Sequence, residues 1–368
     1  MKNLLKYFNL LLVTFSLCIM CSMEAKAAMT VPASGDKSGR EDYKAIMNAL
    51  AEDGDVILED GSTYYIKATL WVENNQSITA TGATIISKTG AFRNKPSQLN
   101  YKSIKGFTVD GGTWKNMDPA GFKKAFIQFS HGSNITIKNA TVYCNYEGHA
   151  IELIACKNVL IDNCNVKAVG KCKSTSAEEQ IQIDVATPRT APTIGSYGAK
   201  YVKGQTCQNI TVSNCTVVGA RGICANLCKD EKYKGKFHKN IVLTNNKVTG
   251  MASEAVALFN VVGATVENNT IVTKSKRTTT AYSVGLHIAM FGKAPTTMNK
   301  AVYTIQGNTI KGGRQGVFVY SHSSSKFGKV IAKNNKCYAK AGKDKALVVH
   351  KDASKQSKLS KNKTYVWK

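Results

Sequence analysis

Acidic residues are scarce in this chain. Asp and Glu number 24 against 50 Lys and Arg, and the formal charge is +26. Such a field favours anionic partners: acidic polysaccharide or another cell-wall polyanion such as teichoic acid, nucleic acid, or an anionic membrane surface. After the first two dozen residues no apolar stretch is long enough for a membrane helix, which excludes a helical span. A complete disulfide framework is missing as well. Of the 11 cysteines, Cys18 and Cys21 fall in the apolar start, and an odd number is left. What remains is 43% hydrophobic and 20% charged, enough to bury a large core.

The start has its own logic. Lys2 and Lys6 precede an apolar run from Leu10 to Cys21, and Ala25-Lys26-Ala27 follows. This pattern predicts a signal peptide over residues 1–28, cut near Ala27 or Ala28, and a secreted, extracellular protein. Residues 29–350 are expected to form one domain, with a basic tail over 351–368, and the protein is expected to be a monomer.

The chain repeats itself. NITIKNATV at 134 recurs as NVLIDNCNV at 158, NITVSNCTV at 209, NIVLTNNKV at 240 and ATVENNTIV at 264. Each phrase is a short alternating strand, an asparagine-bearing turn and another β-branched residue. Strand-rich coils of this length predict an all-β parallel solenoid.

The opening of the domain carries a resemblance. REDYKAIMNALAEDGDVILEDGSTYYIKATLWV gives an amphipathic helix, a strand and a G-x-T-Y-Y-I phrase, and SITATGATIIS and FTVDGGTW continue it. This resembles the entry segment of the pectate-lyase-superfamily right-handed parallel β-helix proteins. The resemblance extends over residues 30–345. It implies a right-handed β-helix capped by a short N-terminal helix. It leaves lyase, hydrolase, epimerase and non-catalytic adhesin open. The paired aspartates, His-Gly and Arg-Ile-Lys of polygalacturonase-type members are not evident.

One strand per coil can be stacked: AFIQFS at 125, HAIELI at 149, EQIQID at 179, RGICAN at 221, EAVALF at 254, YSVGLH at 282 and QGVFVY at 315. The third residue of each should face the core and the fourth should face out. The outward ladder then reads Gln128, Glu152, Gln182, Cys224, Ala257, Gly285, Phe318, a polar groove fading into small and aromatic residues. Long insertions after Gln182 and Arg221 carry Arg189, Tyr197, Tyr201, Tyr233 and His238, and suggest a binding face.

Glu152 and Asp184 are the first candidates for catalysis. They fall on adjacent rungs, two residues out of register, with a backbone separation of about 8 Å. That suits an inverting glycosidase pair. For β-elimination, Arg221 would neutralise a uronate, and His149, His238 or Tyr197 would be the base. Substrate contacts are expected from Glu179, Gln182, Arg189, Tyr197, Asn226, His238, Glu254 and His287. Glu152, Gln182 and Asp184 are also candidate Ca2+ ligands, and Cys224, Cys228 and His238 a candidate metal set. The expected function is a secreted carbohydrate-active protein acting on uronate-containing polysaccharide by hydrolysis or β-elimination. The alternative is a non-catalytic polysaccharide-binding or adhesion protein.

Overall fold

The computed structural model describes residues 28–94, 105–228, 230–233, 235–280, 282–351 and 353–368. Residues 1–27, where the leader is expected, lie outside the described residues.

Three parallel sheets run the length of the chain, with ten (sheet I), twelve (sheet II) and eleven (sheet III) strands. Each strand pairs with its counterpart one coil on, as Ala125–Ser130 does with His149–Ile154. The result is a right-handed parallel β-helix. A helix over Arg40–Glu52 buries Ile46, Ala49 and Leu50 against the first coil and closes that end.

The repeated asparagines explain the bends. Between sheets II and III the chain turns through a left-handed residue at Asn139, Asn163, Asn214, Asn245, Asn268 and Asn334. Asparagine tolerates this conformation better than other side chains with a Cβ. A second set, Asn134, Asn158, Asn209 and Asn240, opens the strands of sheet II in the same conformation. Its amides hydrogen-bond from rung to rung at 2.9–3.1 Å.

Inside, like stacks on like. Ile127, Ile151, Ile181, Ile223, Val256, Leu286 and Val317 form one inward ladder of sheet I, all fully buried. Each such side chain stabilises the fold by about 1.5–3 kcal/mol. The cysteines belong to similar columns. Cys164 lies under Cys215, whose N–H donates to Asn246, and the column continues as Asn269, Asn308, Asn335 and Asn362. All the described cysteines are free thiols.

The expected basic tail is no tail. Ser354–Ser360 and Lys363–Val366 pair with sheets II and III and add one more coil. Lys355, Lys358 and Lys363 fall inside these strands, so the strand pattern was hidden by charge.

Candidate functional site

The outward ladder of sheet I runs Trp71, Arg93, Gln128, Glu152, Gln182, Cys224, Ala257, His287, Phe318. It matches the sequence alignment except at one place. His287, not Gly285, stands beside Ala257. Alternation fixes which face a residue takes but not a shift by two residues. Val284 and Leu286 both suit the core position, and the strand takes Leu286.

Glu152 lies beside Gln182, and Asp184 beside Ile154, so the two carboxylates are on adjacent rungs and diagonal. Both point away from the core, yet they are only 6% and 4% exposed. The expected open groove is thus covered at these two residues, by the segment between Val185 and Cys207, whose Ile194, Tyr201 and Val202 pack on Ile154. Burial pushes the Asp184 carboxyl well above its ordinary range, and the nearby Glu152 and Glu179 push it further. Burial also raises Glu152, against the opposing pull of His149, a hydrogen bond from Gln128 and the Arg93 cation. Both carboxyls are thus biased toward their protonated form.

Arg221 is committed elsewhere. It lies between Glu179 at 2.5 Å and Glu254 at 2.9 Å, and all three are buried. Burial alone would raise Glu254, but Arg221 and His287 hold it down at about 2. This corrects the expectation that Arg221, Glu179 and Glu254 present themselves to a sugar. They form a structural ion network at the corner leading into sheet I. His287 joins it through Nδ1, 3.2 Å from Glu254.

His149 opens its strand, and its Nδ1 donates to the Glu179 carbonyl at 2.8 Å. Nε2 then faces Glu178 at 3.8 Å. His149, Glu178 and Glu179 are the side chains that bring three ligand atoms within 4.8 Å of one another among the described residues. The expected sets, Glu152 with Asp184 and Cys224 with Cys228 and His238, do not gather in this way among them.

His238 is a second correction. It is fully buried. Its Nδ1 accepts the Cys207 N–H at 3.1 Å and its Nε2 donates to the Asn226 carbonyl at 2.9 Å. Burial lowers its pKa to about 4. It continues the cysteine column of Cys156 and Cys207 and reaches neither substrate nor solvent. Tyr201 and Tyr233 are buried too and anchor their loops. Arg189 stays exposed. Tyr197 is also exposed, and it lines a slot with Trp71, Arg93 and Gln128 at the near end of the ladder. Asn226 is half-buried beside Asp184, which accepts a hydrogen bond from its side chain.

Sequence reasoning missed Trp71 and Arg93 as members of this face, while Ser130 stands where the alternation of AFIQFS puts it. The signal for Trp71 and Arg93 was faint, because their strands precede the clear repeats. Arg93 Nε, Ser130 Oγ, Gln182 Oε1 and His287 Nε2 are buried with no hydrogen-bond partner. Gln182 Oε1 lies directly beside the Glu152 rung. Burying a polar atom without a partner costs about 1–3 kcal/mol, so each of these positions is held at a cost in stability. At the far end the face turns aromatic, with Phe318 stacked on Tyr320 and Phe291 on His322.

The model of Glycosyl hydrolases family 28 matches residues 21–225. The chain belongs to glycosyl hydrolases family 28. Its expected kinship within the right-handed β-helix proteins is therefore right. Among curated proteins it is similar to plasmin and fibronectin-binding protein A of Streptococcus pneumoniae (strain ATCC BAA-255 / R6), with 28% identity over 149 residues. That match covers 36% of this chain and 20% of the relative, so the chain spans about a fifth of the relative's length. Two solved structures of PfbA, a surface adhesin of Streptococcus pneumoniae, share the fold over 92% of this chain and over 93% and 99% of theirs. Each has a TM-score of 0.53 and 16% identity. No helix among the described residues is long and apolar enough to cross a membrane.

Proposed function

We propose that this chain is a secreted glycoside hydrolase that cleaves acidic, uronate-containing polysaccharide on the outer face of sheet I. One observation carries the reading. Two buried carboxylates with raised pKa values, Glu152 and Asp184, share a face with polar atoms that lack protein partners. Asp184 is the general acid that protonates the leaving oxygen. Glu152, drawn toward ionisation by Gln128, Arg93 and His149, is the base that activates water. Their diagonal placement on adjacent rungs leaves room for that water and favours inversion. Family membership supports hydrolysis over β-elimination. So does Arg221, whose charge is already spent on Glu179 and Glu254.

The second reading is a non-catalytic glycan-binding protein of the cell surface. The similarity to a surface adhesin favours it, as does the want of the polygalacturonase-type motifs. The two part in one assay. The protein, with added Ca2+ or EDTA, is incubated with acidic and neutral polysaccharides while reducing ends and ultraviolet absorbance are followed together. Hydrolysis gives new reducing ends without absorbance. A rise in both would replace it with β-elimination. Saturable binding without either would leave the adhesin.

A further inference from the structure

A second cleft lies outside the sheet I face. It opens where sheet I turns into sheet II and has a volume of about 620 Å³. Lys105, Lys157, Lys236 and Lys239 line it, and no carboxylate does. All four lysines are exposed. None takes part in an ion pair among the described residues. The 185–207 segment divides this cleft from the groove. Its Thr193, Ile194 and Tyr197 face the slot beside Arg93, while its Gly204, Gln205 and Thr206 face the lysines.

The repeat orders the charges. Lys157, Gln208 and Lys239 stand in register on successive rungs of sheet II. Two cations are thus held about 10 Å apart along the helix axis with an amide between them. This alternation suits a polymer that presents an anionic group, then hydroxyls, then another anionic group. It suits nucleic acid poorly, because bases need exposed rings to stack on. Phe237 is only 5% exposed, and the His131 ring is tied through Nε2 to the Tyr201 carbonyl at 2.7 Å.

We propose that this corner cleft is a separate, non-catalytic site for an anionic carbohydrate polymer. Choosing an acidic glycan rests on the substrate class proposed above, while the site itself is independent of the groove. The test is calorimetric titration of the full chain and of its K157Q/K239Q variant with a polygalacturonate oligosaccharide, its methyl ester and a glycerol-phosphate polymer. Both lysines are exposed at a corner, so the variant should fold. The expected result is about tenfold weaker binding of polygalacturonate at this site in the variant, corresponding to two exposed charge contacts. Hydrolysis of a short oligomer in the groove should be unchanged. Equal loss with the phosphate polymer would keep the site and make phosphate a natural source of its anion. Unchanged binding in the variant would overturn the proposal, as would methyl ester bound as tightly as the acid. If hydrolysis is never seen but the variant still loses binding, the groove reading fails and the cleft stands.

Discussion

Two sites of opposite sign lie on either side of one loop. Toward sheet I, the carboxylates of Glu152 and Asp184 are almost wholly buried, and burial sets their chemistry. Toward sheet II, the ammonium groups of Lys157 and Lys239 stand in water and act only as charges. The same parallel stacking builds both. The difference lies in cover: Ile194, Tyr201 and Val202 close down on one side and leave the other open.

The sharpest way to break this contrast is to disturb the buried side. Arg221→Gln leaves Glu179 and Glu254 buried without their cation, and should cost about 3–5 kcal/mol of stability in denaturant titrations. A loss below about 1 kcal/mol would mean the network is more solvated than its burial implies. Next comes Asp184→Asn, which should lower the turnover of hydrolysis by about 10²–10⁴-fold while polymer binding is kept. The same change should raise the thermal midpoint at neutral pH. A buried acid with a raised pKa favours its protonated form, so its stabilising share is full in acid and lost as pH climbs through the raised value. A lowered midpoint would show that Asp184 is structural.

His238 gives an effect of opposite direction. Its pKa falls from 6.5 to about 4 on folding. The neutral ring stabilises the fold above the unfolded value, and this contribution drains away as pH drops from 6.5 toward 4. The loss should reach about 3 kcal/mol. His238→Gln should flatten that window, measured as denaturant midpoints at neutral and mildly acidic pH. The smallest change is at the open side, where the K157Q/K239Q variant should keep its midpoint and lose only salt-sensitive binding.

Much of this was legible in the chain. The asparagine phrases mark the bends because left-handed turns need them, and alternation marks which residues face the core. Register across Glu152 and Gln182 follows from short, regular coils. The slip at Ala257 and His287 did not show, because alternation is blind to a shift by two. Depth was equally hidden. Nothing in EEQIQID says that the loop after it folds back over the strand, whereas the stacking of Glu179, Arg221 and Glu254 on successive rungs already points to the ion pairs that form. His238 reads as a loop histidine until the cysteine column beneath it is seen.

The central claim is that Asp184 and Glu152 work as acid and base across a water on neighbouring rungs. Proton NMR of the first sugar released from polygalacturonate tests it most directly. The expected product has an inverted anomeric configuration. A retained anomer, or saturable binding with no released sugar, would contradict it.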